Sequence, residues 1–272
     1  MTSANYLKNA SPEQLEAGVA WNHQVWMSIK AQAAGGEVID GDGVAWSFTP
    51  GTKSEGMILF PRLTDENVDD QLNDIVRYYQ KNRPEKHIGC WSLDPPEPKD
   101  LGDKLLERGF QDGWNPRWMW LDLTSIKTDH PTRKDLRVSI VDGSALWKVD
   151  DLPYYDLETE TGRRAAIEVR PQIVWHFGAW LGERLVGHTT LCVSTGELGI
   201  AGIYDVGVVP EARGQGIGTA VTAVACAHGR ALGCRYAMLN GTGEKMYNKI
   251  GFKRLGFGKT WWWVGTSDLK TA

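Results

Sequence analysis

The sequence predicts an α/β protein made of two copies of one domain, and three observations lead there. Helical and strand patterns alternate along all 272 residues, two distant stretches end in the same way, and a glycine-rich loop runs straight into a helical pattern. The chain is long enough for one large domain or two of ordinary size, each with its own core.

The elements follow in order. Residues 12–34 read as a helix, 57–60 ("MILF") as a strand, and 69–80 as a helix whose Leu72, Ile75, Val76 and Tyr79 recur at helical spacing. "HIGCWSL" is a strand, residues 100–108 a helix, and "PRWMWLDL" an alternating strand. The polar, proline-bearing "TSIKTDHPTRKD" is the candidate linker. Beyond it, "RVSIV" reads as a strand followed by two short helical stretches. "IVWHFGAWLGERLVGHTTLCV" reads as two strands turning near Gly182 and Glu183, and "GIYDVGVV" as a third. A helix over 216–232 ends at Gly233, "RYAMLN" is a strand, and a short helix over 245–250 precedes the last strands. In "WWWV", Trp261 and Trp263 share one face and Trp262 takes the other.

"LLERGFQDG" and "MYNKIGFKR" both close a helix, continue with Gly-Phe and lead into an aromatic-rich strand. This repeat places the domains at 1–123 and 135–272, with a linker over 124–134.

Composition removes several function classes. A formal net charge of -4 and a pI near 5.9, without Lys/Arg runs, argue against a general nucleic-acid binder. The four cysteines form no C-x-x-C pair and the six histidines lack ligand spacing, so no metal site is expected and the thiols read as reduced and structural. No apolar leader segment and no stretch approaching 18 apolar residues is present, so the expected setting is cytoplasmic, without a membrane.

The chemistry centres on "VVPEARGQGIGTAV", residues 208–221. Glycines 214, 216 and 218 ahead of a helix N-terminus offer backbone N–H groups to an anion, most often a phosphate. Gly218 is followed by Thr219 rather than Lys-Ser/Thr, which removes a standard P-loop. The spacing is G-x-G-x-G after a hairpin, which weakens a dinucleotide fingerprint. The apolar positions Ile217, Val221, Val224, Ala225 and Leu232 are expected to dock this helix on its sheet.

Arg-x-x-Gly-x-Gly after a Val-x-Pro strand end is joined by Pro210, Asn240, Tyr247 and Gly251-Phe252 at matching distances. On these residues the chain over about 135–264 resembles the GNAT superfamily of acyl-CoA-dependent N-acetyltransferases. The resemblance implies two GNAT-like domains, each a mixed, mostly antiparallel sheet flanked by helices, and acetyl-CoA as co-substrate. It implies that the pyrophosphate rests on Arg213, Gly214, Gln215, Gly216, Ile217, Gly218 and Thr219. The thioester arm would lie along Val206, Gly207 and Val208, and Gly207 within a β-branched run suggests a bulge, or a glycine at a packed crossing.

An amine must lose a proton to attack, and Asp205 is the candidate base, or else a structural strand-end carboxylate. Tyr247 occupies the family position of the acid that protonates the leaving thiolate. Asn240 holds a water or the pantetheine amide, or caps the following turn. "VDDLPYYDLETE" supplies an acidic, aromatic lip, with Asp151, Tyr154, Tyr155 and Asp156 as candidate acceptor-binding residues for a cationic small molecule.

The first half departs from the pattern. "TDENVDDQLND" stands where the glycine loop would be, and Leu105 takes the position of Tyr247. This half therefore reads as a degenerate copy. Three functions follow as expectations: acetylation of a small amine such as an antibiotic, acetylation of a protein or peptide, or non-catalytic acyl-CoA binding.

Overall fold

The alternating patterns resolve into twelve strands and six α-helices among the described residues. The computed structural model describes residues 5–51, 54–128, 133–141, 149–154, 157–265 and 268–272, with the backbone alone over 157–162. The first of the two helical stretches expected after "RVSIV" lies outside them.

Two compact units are present, one of Met1–Asn22 with Trp118–Leu255 and one of His23–Arg117 with Gly256–Ala272. They depart from the linear division at 123 and 135, because each unit takes in a segment from the far end of the chain. Strand pairing, a long-range property, is the reason.

In the first unit, β7 (Leu136–Val141), β8 (Val174–Leu181), β9 (Arg184–Val193) and β10 (Ala201–Val208) form an antiparallel run. The β8–β9 turn uses Gly182 at φ +59°. Helix α5 (Ile217–Ala231) then crosses to β11 (Tyr236–Asn240), which lies parallel to β10. On its other edge β11 pairs antiparallel with β6 (Arg117–Asp122), a strand from the first half of the sequence. Helix α4 (Leu157–Glu168) precedes β8, and α6 (Glu244–Ile250) follows β11.

The second unit has the same succession. Strands β1 (Glu37–Asp40), β2 (Ala45–Thr49) and β3 (Glu55–Leu59) are antiparallel, α2 (Val68–Lys81) crosses over, and β4 (His87–Leu93) is parallel to β3. Helix α3 (Leu101–Glu107) and β5 (Gln111–Asp112) follow. β4 and β5 both pair with β12 (Lys253–Val264), so the last strand of the chain completes this sheet. Strands β1 and β2 were not among the expected elements. Their alternation is short and interrupted by glycines 41 and 43, which close the hairpin between them.

Each unit has its own core. Leu191, Ile203, Ile217, Val221, Ala225 and Leu239 are among the buried residues of the first, and Ile58, Leu72, Ile75, Tyr79, Trp261 and Trp263 among those of the second. The expected faces of α2 and of the "WWW" strand are therefore observed. For α5 one position is corrected: Val224 is 38% exposed, and the docking stripe runs instead through Ile217, Val221, Ala225 and Gly229 at four-residue steps. Helix α1 (Pro12–Ala33) anchors to β9 and β10 through buried Asn22, whose Nδ2 donates to the carbonyls of Cys192 and Ile200 and whose Oδ1 accepts from the Tyr204 hydroxyl.

Candidate active site

The site begins where two parallel strands part. β10 and β11 pair only over Ala201–Ile203 and Ala237–Leu239; β10 then continues to Val208 while β11 stops at Asn240. On its other side β10 keeps to β9 but shifts register between Tyr204 and Gly207, so Asp205 and Val206 together oppose Thr189. This bulge increases the local twist and turns the strand end away from β11. Val209 N–H bonds the Val186 carbonyl at 3.0 Å. By antiparallel alternation, the neighbouring Val208 amide faces the open side.

The bulge lies one residue earlier than Gly207 suggests. Asp205, at φ +52°, takes the left-handed conformation, and the absence of a side chain at Gly207 serves close packing instead. A Cβ there would lie 2.6 Å from His188 Nε2 and 2.9 Å from the Pro153 carbonyl oxygen.

The opened sheet leaves a cavity of about 610 Å³, lined by Val206 to Val208, residues 212–214 and 216–219 of the loop and helix start, Pro153, Tyr154, Thr242, Gly243, Met246, Tyr247 and Lys249. That volume suits a small-molecule ligand. At one wall Gly214 and Gly216 adopt φ +75° and +79°, conformations that cost L side chains strain, and Gly216 is the N-cap of α5. The first helical bond is donated by Ala220 to the Gly216 carbonyl, so the preceding amides are the orphan donors of a helix N-terminus. With the dipole of a 15-residue helix behind them, they suit an anion. Arg213 and Lys249 add positive charge to the wall, Arg213 being tethered by Nε to the Val208 carbonyl at 3.2 Å. Gln215, an expected site residue, does not line the cavity: its side chain donates to the Glu211 carbonyl and accepts from Arg133. Ile217 and Thr219 are buried, and Gly218 admits Met246, whose Sδ would lie 2.8 Å from a Cβ there.

Tyr247 stands in the same cavity, 7% exposed, its ring edge-to-face with Phe252 at 6.0 Å. Burial first, and then Tyr154 and Cys226, push its hydroxyl well above the usual tyrosine range, so it keeps its proton at neutral pH. Asn240 ends β11 with Oδ1 buried and making no hydrogen bond, an acceptor left for an N–H, but it is not among the residues lining the cavity.

Other expected residues are placed differently. Asp205 turns its carboxylate onto Arg163 at 3.2 Å, is one-quarter exposed, and is not among the residues lining the cavity. Tyr154 lines the cavity, 60% exposed at φ +61°. Asp151 is exposed at φ +66° and does not line it. Tyr155 and Asp156 lie outside the described residues. Thr242, Met246 and Lys249 escaped sequence reasoning although they flank Tyr247 in one short segment, and a basic residue two positions past the tyrosine was the available signal. Arg163 and His188 carried none.

The corresponding crossover in the second unit is unlike this one. No glycine precedes α2; Asn67 Oδ1 accepts from the Thr64 amide, and Asp69, in the first turn, binds Lys104 and Arg108 at 2.8 and 2.9 Å. Leu105 is fully buried. The four cysteines are free and buried, and burial raises each thiol, that of Cys234 to about 12. No helix among the described residues is long and apolar enough to cross a membrane.

Comparison with known proteins agrees with this geometry. Residues 144–252 match the model of the acetyltransferase (GNAT) family. A mycothiol acetyltransferase of Geodermatophilus obscurus is 36% identical over 31% of this chain and 30% of its own length, so the match spans under a third of that relative. Among solved structures, a GCN5-related N-acetyltransferase from Kribbella flavida superposes with a TM-score of 0.68 at 13% identity, covering 90% of this chain and 94% of that one. A tandem GNAT protein from the clavulanic acid biosynthesis pathway gives 0.59 at 12% identity, covering 97% and 98%. At such identities the likeness establishes the fold.

Proposed function

We propose, on the premise that this chain carries an acetyltransferase domain of the GNAT family over residues 144–252, that it transfers the acetyl group of acetyl-CoA to the amine of a small molecule. The observation that carries the proposal is the single cavity joining the amides and cations around Gly216 to the protonated hydroxyl of Tyr247. A coenzyme A pyrophosphate fits the orphan donors of residues 214–219 with Arg213, and the pantetheine arm fits the open edge of β10 along Val206 to Val208, with Asn240 Oδ1 as acceptor for an amide.

In the proposed reaction the neutral amine attacks the thioester carbonyl, whose oxygen the Val208 amide is placed to polarise. The carbon–sulfur bond then breaks, and the thiolate takes the proton of Tyr247. The ammonium proton of the new amide nitrogen leaves to solvent, and Tyr247 is reprotonated in turn. Asp205 was the expected base; its pairing with Arg163 supports instead a role as counter-ion, so the base is assigned to water.

A small acceptor is favoured because Tyr154 lines the cavity and the same segment carries the exposed Asp150 and Asp151, a composition that suits a cation. A mycothiol acetyltransferase and a clavulanic acid pathway protein, both named for small molecules, support the same class. An antibiotic acceptor is the narrower form of the proposal, drawn from the tandem arrangement of the latter. The second unit is proposed to be a degenerate copy without a cofactor site, on the acidic start of α2 and on Leu105.

The test is acetyl-CoA incubated with a panel of amines, read as thiol release. Amine-dependent release establishes the proposal. Binding of acetyl-CoA without release for any amine would leave a non-catalytic module.

A further inference from the structure

The polar cluster beneath the β10 bulge takes no part in the steps above. Arg163, on α4, is 1% exposed, and its Nη2 donates to acceptors on two separate segments, the Tyr154 carbonyl at 3.0 Å and Asp205 Oδ2 at 3.2 Å. His188, on β9, holds the preceding carbonyl: its Nε2 donates to Pro153 O at 2.7 Å, which makes Nε2 the protonated nitrogen. His176 packs on His188 with ring centroids 5.3 Å apart and is fixed by Thr190 Oγ1 at 2.9 Å. Both imidazoles stay neutral, since burial and the Arg163 cation push them down, His188 to about 4. Among the described residues, Asp205 is the carboxylate paired with Arg163.

The backbone around this cluster is unusual. Asp151, Tyr154 and Asp205 are non-glycine residues at φ +66°, +61° and +52°. Such conformations persist where the surroundings enforce them. Arg163 bonds two of these three residues. Gly207, lacking a Cβ, lets Pro153 and His188 approach the strand. The result is Tyr154 lining the same cavity as Tyr247, close enough to raise the pKa of the Tyr247 hydroxyl. The loop at Gly214 and Gly216 is tied by bonds of its own, Arg213 to Val208 and Gln215 to Glu211.

We propose that Arg163 is a positioning residue that builds the acceptor side of the cavity: with His188 it clamps residues 153–154 to the bulged strand and so fixes Tyr154 beside Tyr247. What the cavity does rests on the acetyltransferase reading, whereas the clamp rests on the bonds alone. The two N–H bonds of Nη2 point in fixed directions in the guanidinium plane, toward the carbonyl and the carboxylate, a geometry that an ammonium on a flexible stem reproduces poorly.

The test is Arg163→Lys in the full chain. Hydrogen exchange over residues 149–154 should quicken by about tenfold or more while residues 213–219 are unchanged. By calorimetry the acetyl-CoA Kd should stay within about twofold, and the acceptor KM should rise about tenfold with kcat changed less than about threefold. Adding Tyr154→Ala to Arg163→Lys should raise the acceptor KM no further than Tyr154→Ala alone, because both act through one wall. If Arg163→Lys does not fold, Asp205→Asn removes the counter-charge and should quicken the same exchange by a smaller factor. Unchanged exchange over 149–154 in the folded variant, or an acetyl-CoA Kd that rises with the acceptor KM, overturns the proposal. If the wild-type protein acetylates no amine, the acetyltransferase reading fails by itself and the exchange experiment still decides the clamp.

Discussion

Replacing Gly207 by alanine adds one methyl group at the most crowded point of the site. The new Cβ would lie 2.6 Å from His188 Nε2, about 0.8 Å short of the 3.4 Å at which ordinary contact begins, and 2.9 Å from the Pro153 oxygen. Those two atoms are hydrogen-bonded to each other at 2.7 Å. The closer clash is with His188 Nε2, so its ring must swing away from the strand against His176, and the Pro153 oxygen must also retreat by about 0.5 Å. A ring shift of about 0.8 Å stretches the bond to about 3.5 Å, where it no longer counts as one. Overpacking costs about 1–3 kcal/mol and the broken buried bond about 1–3 kcal/mol more, giving a loss of about 2–6 kcal/mol. For a chain of this length the melting temperature should fall by roughly 5–15 °C. Differential scanning calorimetry measures the loss, and initial rates against acceptor concentration should show KM rising with the displaced Tyr154. A melting temperature within about 1 °C of wild type and an unchanged acceptor KM would refute the crowding argument.

Tyr247→Phe should keep the ring contact with Phe252, leave stability and acetyl-CoA affinity nearly unchanged, and lower turnover by roughly 10²–10⁴-fold; activity within about threefold of wild type would sink the acid assignment. One acetyl-CoA should bind per chain, and Gly216→Val should abolish binding, since a β-branched side chain at φ +79° strains the turn and projects into the proposed pyrophosphate site; a calorimetric stoichiometry near two would place a second site in the other unit. His188 contributes stability in its neutral form. Its pKa falls from about 6.5 in the unfolded chain to about 4, so this contribution is full above pH 6.5 and is lost as pH falls toward 4, a change of about 3 kcal/mol. His188→Gln, which keeps a donor for the Pro153 carbonyl, should flatten the denaturation free energy over that window, and a slope identical to wild type would contradict it.

The glycine loop was legible because everything it needs is contiguous. Glycines at 214 and 216 relieve a backbone requirement that exists within the loop itself, and a helix start supplies its donors whatever surrounds it. Tyr247 was legible for a related reason, since its distance from Asn240 is set by one short turn and one short helix. Amphipathic spacing likewise carried α2, α5 and the "WWW" strand, although a single exposed valine on α5 showed that the width of a buried face depends on what is packed against it.

The sequence by itself therefore determined most of the elements, the glycine loop at a helix start, and the contrast between that loop in one half and an acidic one in the other. The tertiary structure decided the rest. Which sheet receives β6 and which receives β12 is a choice between distant partners that no period along the chain encodes. The bulge fell at Asp205 and Val206 because register is settled by two strands together. Asp205 gained a guanidinium, and His188 gained the Pro153 carbonyl, only when segments dozens of residues apart were buried side by side. An arginine in the sequence reads as surface. Buried with its acceptors around it, the same arginine holds a wall of the site in place.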